Sequence, residues 1–558
     1  MNFFRRNPEI IFAFLLFVFV LVLKYPVLNL PYSWDAMNYI IPAAQHVYSN
    51  GFILFLWEYS NGHPPFYFLL LGFIFKLFGN TAFVAHFVSV LFSFLSVYFT
   101  YLTGKHLFNR KIGVISSLMM LFYPTFFSYS SLAYLAMPLV ALTIMSIYLF
   151  LRGNTTSYII ISSFLVLTEE RGIFVPAALL LYWVIKNKKI DIKKDFIFGI
   201  PLIVFALWLF SNKLHYGTFL YPLNSTLFSF GIVNIFNGII ILKSLFFDYF
   251  KWILTSFILL CCFNFNMFKN KIKVFYSFII SFIFFLLLFN LHKSHYYFSN
   301  NFPNVIDYFL ILKEFSFLFS LLLFVFLLSF KDFIKFFNNP KLYPLYTVFV
   351  FMFTSYIIFI PFPARYGLPV YPILFIIFSL VLVKIFKKFS YFVFLFIILL
   401  FIISWTGDRT NVGFVLEENM EYADMVKTHQ MAAEFLETNY PNSVVLVSYP
   451  QSLELQYPYL GYVKEPFKVV SIPSFPGLTT KNSTVYLNSD LYNKSVDLNT
   501  IDVIYYSEQE FKTKYSQDLY NNVLHKNLIK EFELNGKVTQ IYEVNKSVDY
   551  PVYYLPLD

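Results

Sequence analysis

The chain has 558 residues, 58% of them hydrophobic and 13% charged, with a mean hydropathy of +0.64. Soluble domains carry about a quarter of their residues as charges, so an ordinary soluble enzyme is excluded and a polytopic α-helical membrane protein is expected. The net charge of +10 does not point to nucleic acid as a partner, because the lysines fall in short clusters between apolar runs and no basic stripe accompanies a nucleic-acid motif.

The N-terminus opens with Arg5 and Arg6, followed by the apolar run 10–23 and then Lys24-Tyr25-Pro26. No small-residue cleavage site follows, so this run reads as an uncleaved first span, with a cleaved signal peptide as the lesser alternative. A polar loop follows, containing Trp34-Asp35-Ala36-Met37-Asn38-Tyr39 and, at its far end, Gly62-His63-Pro64-Pro65. The next apolar run, 66–78, is too short to span and contains Lys76. It reads as an interfacial helix inside an outer loop, 25–81.

A span needs about 20 apolar residues. About thirteen candidates lie near 9–24, 82–103, 112–130, 132–151, 156–169, 172–186, 195–211, 246–266, 274–290, 308–330, 343–361, 366–386 and 389–405. Basic residues follow every second one: Lys105, Arg110 and Lys111; Arg152; Lys186 to Lys194; Lys269 to Lys273; Lys331 to Lys341; Lys384 to Lys388. All fall on one side if the N-terminus is cytoplasmic, as the positive-inside rule requires. The loops 25–65, 212–245 and 291–307 then face outward, and so does the C-terminal region. The cysteines, Cys261 and Cys262, are adjacent in an apolar run and read as small core residues.

Composition changes near Thr406. A linker over 406–416 separates a membrane domain, 1–405, from a polar region, 417–558, long enough for an extracytoplasmic α/β domain. Strands are expected at 443–448, 484–487, 503–506 and 538–544, and helices at 418–438 and 508–530. Glu418, Glu421 and Asp424 read as an exposed helix face.

Read in order, the outer-face motifs resemble the lipid-linked sugar transferases of the GT-C superfold, in the branch of the protein O-mannosyltransferases and aminoarabinose transferases. Asp35 and Tyr39 match the first-loop aspartate and the tyrosine four residues on. His63-Pro64-Pro65-Phe66-Tyr67, ending in Leu77-Phe78-Gly79, matches a (Lys/His)-Pro-Pro-hydrophobic-Tyr stretch. Lys105-His106-Leu107-Phe108 is similar to the turn after the second span. Trp208, Asn212 and Gly217 resemble a Trp-x3-Asn-x4-Gly pattern, and Arg365-Tyr366-Gly367-Leu368-Pro369 an Arg-Tyr-x-x-Pro stretch. The likeness covers roughly 10–405. The pattern's usual acidic residues after Asp35 and at the outer end of the fourth span are Ala36 and Ala136 here, and its arginine in the second span is His86.

The resemblance implies a glycosyltransferase that moves a sugar from a polyprenyl-phosphate donor to an acceptor, protein, lipid or glycan, on the outer face of the cytoplasmic membrane. A direct, inverting displacement needs a base for the acceptor hydroxyl, cations or hydrogen-bond donors for the leaving phosphate, and a groove for the isoprenoid. Asp35 is the expected base. Arg365, whose planar fork suits phosphate oxygens, is the expected phosphate ligand. Tyr39, His63, Tyr366, Lys293, Glu169 and Glu170 complete the candidate substrate site, with His292 and His295 beside Lys293. No cofactor is expected, and a divalent metal is not favoured, since such sites use several oxygen ligands and Asp35 is the one clear acid.

Plainer readings exist for each residue. Asp35 is a good N-cap for a helix starting at Ala36. Arg365 sits where snorkelling anchors occur. Glu169, Glu170 and Arg171 read as a solvated outer turn, Lys293 as a surface residue, and Asp248, Lys251, Lys313 and Glu314 as residues near span ends that reach the interface. Two rival functions remain: a non-catalytic binder of lipid-linked sugar, and a lipid-linked-sugar transporter, the latter disfavoured because the polar residues gather on one face rather than at mid-membrane.

Overall fold

The computed structural model describes residues 8–188, 192–221, 271–291, 338–358, 364–406, 417–472, 498–507 and 527–545, with shorter pieces between. Lys293, His292, His295, Asp248, Lys313, Glu314, the adjacent cysteines and the strand expected at 484–487 lie outside the described residues.

The membrane portion is a helical bundle. Its elements are α1 (Pro8–Lys24), α2 (Ile41–Asn50), α3 (Phe66–Phe78), α4 (Ala82–Leu107), α5 (Arg110–Phe122), α6 (Pro124–Tyr129), α7 (Ala136–Leu151), α8 (Thr155–Val166), α9 (Phe174–Asn187), α10 (Ile192–Tyr216), α11 (Lys271–Leu291), α12 (Tyr343–Ile358), α13 (Tyr371–Phe386) and α14 (Ser390–Ile403). Among the described residues four stretches are long and apolar enough to cross a membrane: Glu9–Val27, Ala82–Leu107, Phe196–Tyr216 and Arg365–Ile403. Several other helices fall short of span length. The expected span 112–130 is in fact α5 and α6, because Pro124 has no N–H to continue the α5 ladder and opens a new helix instead.

Helix starts follow local chemistry. The side chains of Thr81, Asn109 and Asn154 accept from the backbone N–H three residues on and cap α4, α5 and α8. Pro64-Pro65 leads directly into α3, as the sequence implied. Within α4 the hydroxyls of Ser93, Ser96, Thr100 and Thr103 donate to carbonyls one turn back, at 2.7 to 2.9 Å. In an apolar helix, that removes the cost of carrying them. α4 and α5 meet through Gly104 and Gly113, where a Cβ on Gly113 would lie 2.6 Å from the Tyr101 carbonyl oxygen. This is the small-residue contact by which membrane helices approach closely.

The basic residues at the end of α4, the start of α5 and the end of α13 gather at one end of the bundle. Lys105, at the end of α4, pairs with Glu9 at the start of α1, and Lys111 donates to the Lys387 carbonyl at 2.9 Å. The candidate site residues lie at the opposite end of these helices. Lys251 does not reach an interface: it is fully buried, its Nζ donating to Tyr123 at 2.7 Å and Tyr371 at 3.3 Å.

The C-terminal region contains α15 (Glu421–Asn439), α16 (Gln451–Gln456) and strands β1 (Val444–Ser448), β2 (Lys468–Ile472), β3 (Val503–Ser507), β4 (Leu528–Leu534) and β5 (Lys537–Glu543). They form one five-stranded sheet in the order β2-β1-β3-β5-β4, with β1 parallel to β2 and β3, and β5 antiparallel to β3 and β4. The β4–β5 hairpin turns on Asn535-Gly536, both at positive φ (50° and 74°), the geometry a two-residue hairpin loop demands. That hairpin corrects the end of the helix expected over 508–530: residues from Leu528 on are strand, and 508–526 lie outside the described residues. Glu421 is not on an exposed face either; it is buried and paired with Lys537 at 2.9 Å.

A buried polar cluster ties this region together. His429 bonds Glu454 at 2.9 Å and the Ser507 hydroxyl at 3.1 Å, and Tyr505 donates to the second Glu454 oxygen at 3.1 Å. It fixes α15, α16 and β3 to each other. The loops beside α16 then pack on the loop after α1: Tyr462 donates to the Tyr32 carbonyl at 2.9 Å, Tyr32 N–H to the Leu460 carbonyl at 3.2 Å, and Asn38 to the Tyr449 hydroxyl.

Candidate active site

The site forms where the loop after α1, the loop before α3, the α8–α9 turn and the segment before α13 converge. Asp35 precedes a short π-helical stretch, Ala36–Ile40, an irregularity frequent at functional sites. Trp34, just before it, has φ of 34°, a conformation costly for a bulky residue and held here by its surroundings. Asp35 does not cap the helix that follows; its side chain makes no capping hydrogen bond. Its Oδ2 instead lies 2.6 Å from Arg365 Nη2 and accepts from the Tyr39 hydroxyl at 3.1 Å. The plainer reading of Asp35 is therefore overturned.

Arg365 is not a snorkelling anchor. Its side chain is 15% exposed, that of Asp35 23%, and its guanidinium sits 5.6 Å from the Tyr134 ring centroid and 5.3 Å from that of Tyr366, within cation–π range. The pairing leaves Asp35 partly open to solvent while the arginine is sandwiched.

The α8–α9 turn is not solvated. Glu169, Glu170 and Arg171 are all buried. Arg171 pairs with Glu169, donates to the Tyr366 carbonyl at 3.4 Å and stacks on the Tyr366 ring at 4.2 Å. His63 Nδ1 lies 2.9 Å from Glu170 Oε2, and the His63 ring is 5.5 Å from that of Tyr39. Gly172 lets the turn close: a Cβ there would fall 2.4 Å from the Leu165 carbonyl oxygen. Burial draws the His63 pKa down, but the adjacent Glu170, with its hydrogen bond, and the charges of Glu169 and Asp35 outweigh it, so the net shift is upward. Burial pushes the Tyr39 phenol well up, and the Asp35 charge adds to this, so Tyr39 stays a hydrogen-bond donor.

The structure thus brings together Asp35, Tyr39, His63, Glu169, Glu170, Arg365 and Tyr366. Arg171, read with the two glutamates as a turn, joins them, and the structure adds residues that the sequence did not single out for the site: Tyr129, Tyr134 and Glu417. Glu417 is 3% exposed. Its carboxylate accepts from Tyr134 and, at 3.3 Å, from Tyr129. Burial raises its pKa, partly offset by Arg365 and the Tyr134 hydrogen bond. No spacing rule could have found it, because it begins the polar region and reaches the site only through tertiary packing. Among the described residues, no group of three or more His, Cys, Asp or Glu side chains is arranged to hold a metal ion. Among the described residues, the guanidinium groups of the site are those of Arg365 and Arg171.

The resemblance that the motifs carry is matched by two comparisons, a family model over part of the chain and a solved membrane protein of similar fold. Residues 62–216 match the family described as Dolichyl-phosphate-mannose-protein mannosyltransferase. Among solved structures, ArnT from Cupriavidus metallidurans in the apo state is similar at 11% identity, over 97% of this chain and 99% of that one, with a TM-score of 0.50. The same protein bound to undecaprenyl phosphate matches at 12% identity over 95% and 98%, with a TM-score of 0.49. The Archaeoglobus fulgidus oligosaccharyltransferase complex with zinc and sulfate matches at 11% identity over 81% and 62%, with a TM-score of 0.38. At these identities the likeness to ArnT bears on the fold alone. No curated protein matches the chain significantly.

Proposed function

We propose that the protein is a glycosyltransferase that moves a sugar from a polyprenyl-phosphate donor to an acceptor hydroxyl on the outer face of the cytoplasmic membrane. The observation that carries the reading is the Asp35–Arg365 pair, a carboxylate and a guanidinium held 2.6 Å apart in a half-open site. The match of residues 62–216 to a family named for a dolichyl-phosphate sugar donor supports the donor class. About thirteen spans with a cytoplasmic N-terminus, and an outward-facing α/β domain, remain part of this proposal.

The reaction is a single inverting displacement. Asp35 takes the proton of the acceptor hydroxyl as its oxygen bonds to C1 of the sugar, and the bond from C1 to the phosphate oxygen breaks. The negative charge that develops on the leaving polyprenyl phosphate is met by Arg365, with His63 as a second donor. Arg365 cannot serve the phosphate while fully committed to Asp35. The donor phosphate competes for the guanidinium, and its arrival uncovers the base. Tyr39 keeps the Asp35 carboxylate oriented during that exchange. Glu170 and Glu169 hold His63 and Arg171 in place, and Tyr366 lies between the two arginines. The proposed chemistry uses no divalent ion: the Arg365 guanidinium, freed from Asp35 as the phosphate arrives, meets the leaving charge.

The test is transfer in membranes from polyprenyl-phosphate sugars to total cell acceptors, with and without a chelator. Transfer that survives chelation supports both parts of the reading. Absence of transfer, with donors and acceptors shown competent in a control enzyme, removes the catalytic reading and favours a binding or anchoring role.

A further inference from the structure

Glu417 is anchored more firmly than a residue at the edge of a linker needs to be. The Ser128 hydroxyl donates to its carbonyl at 2.6 Å and to that of Asn419 at 2.9 Å. Met420 N–H donates to the Trp405 carbonyl at 2.8 Å. The Trp405 ring stacks on Phe127 at 3.7 Å and its indole N–H donates to the Phe122 carbonyl at 3.0 Å. The two sides of the 407–416 segment are thereby pinned to the same α5–α6 corner. From this anchored backbone the carboxylate turns inward, with one oxygen on Tyr129 and the other on Tyr134. Tyr134 also donates to the Ser33 carbonyl at 3.1 Å, two residues before Asp35, and its ring faces the Arg365 guanidinium at 5.6 Å.

One phenolic proton on Tyr134 is thus drawn by two acceptors, and its ring by a cation. A carboxylate accepting from the phenol increases the electron density of the ring, which strengthens its attraction for the guanidinium on its face. The Glu417 carboxylate is buried, and one of the two tyrosines that satisfy it is the tyrosine that faces Arg365, which ties it to the arginine–aspartate pair.

We infer that Glu417 is a positioning residue of this site: through Tyr134 it holds Arg365 in place for the phosphate, and it brings residues 417–420, just before α15, to one wall of the active site. The inference rests on the transferase reading above. Glu417 is faced by Tyr129 and Tyr134 from the α6–α7 corner, by Arg365 and Asp35 across the site, and by Tyr422 from its own stretch.

The test compares wild type, Glu417→Gln, Glu417→Asp, Tyr134→Phe and the Glu417→Gln/Tyr134→Phe double variant in purified form. Glu417→Gln keeps an acceptor oxygen but loses the charge. We expect it to raise the KM for a polyprenyl-phosphate sugar about tenfold at an unchanged melting temperature, Glu417→Asp to recover part of the loss, and the double variant to be no worse than the poorer single one, because one residue acts through the other. A Glu417→Gln enzyme with wild-type KM, or single effects that multiply in the double variant, would overturn the inference. If wild type itself transfers nothing, the functional reading fails instead. The same four-protein cycle on melting temperature then decides the coupling: additive shifts overturn it, and non-additive shifts support it.

Discussion

Asp35 and Arg365 come from opposite ends of the membrane portion and meet with Oδ2 2.6 Å from Nη2. Neither is fully buried, so the pair is screened enough to part and close enough to hold. A carboxylate held this way is prevented from capping its own helix and is aimed at the space in front of the arginine.

Replacing Arg365 tests the phosphate half of the pair. Lysine retains the charge but not the planar fork, and the cation–π contacts with Tyr134 and Tyr366 weaken. Arg365→Lys is expected to lose transfer by about a hundredfold, the scale for removing one transition-state charge contact. Steady-state kinetics with a polyprenyl-phosphate donor measure it; a Lys variant within threefold of wild type would detach Arg365 from the phosphate.

Tyr39 contributes one hydrogen bond to a charged acceptor, worth about 1.5–3 kcal/mol. Tyr39→Phe should lower kcat by roughly ten- to a hundredfold, with little change in melting temperature, since the ring stays. A change in KM alone would place Tyr39 in binding rather than in orienting the base.

The His63–Glu170 pair gives a pH dependence with a definite sign. The His63 pKa in the folded protein is raised above its ordinary value of about 6.5. Its contribution to stability is therefore complete below about pH 6.5 and is lost as pH rises through the folded value. The melting-temperature gap between wild type and His63→Gln in detergent should be widest in mildly acidic buffer and narrow at alkaline pH. A gap that widens with rising pH would contradict the pairing.

Gly113 lies against Tyr101 and Lys105 backbone atoms with no room for a side chain. Gly113→Val should destabilise by about 1–3 kcal/mol through overpacking, read as a lower melting temperature with the KM for donor unchanged in the surviving fraction. A full-stability variant would mean that α4 and α5 separate at little cost.

Much of this was legible in the sequence, because periodicity and end signals are local. The run 66–78 became α3 at those bounds, and the strands expected at 443–448, 503–506 and 538–544 are β1, β3 and β5. The candidate residues around Asp35 were legible through motif spacing, since a loop carries its chemistry as a short string. What was not legible depends on contacts between distant parts of the chain. Glu169 and Glu170 looked like solvent residues until Arg171 and His63 enclosed them. Glu417 looked like the edge of a linker until Tyr129 and Tyr134 met it. Residue 136 is an alanine and brings no carboxylate, and the one found beside Tyr134 arrives from 417. Lys251, near an apolar run's end, looked interfacial until Tyr123 and Tyr371 enclosed its amine.

The central claim is that Asp35 removes the acceptor proton. Its most direct test is sugar transfer from a polyprenyl-phosphate donor by wild type and Asp35→Asn at matched expression and matched melting temperature. The account predicts that Asp35→Asn loses transfer by roughly 10²–10⁴-fold, the range for a general base, while still binding the lipid phosphate, because Arg365 is released from its partner. Equal transfer by both proteins would contradict it and move the chemistry to the Glu169–Glu170 turn.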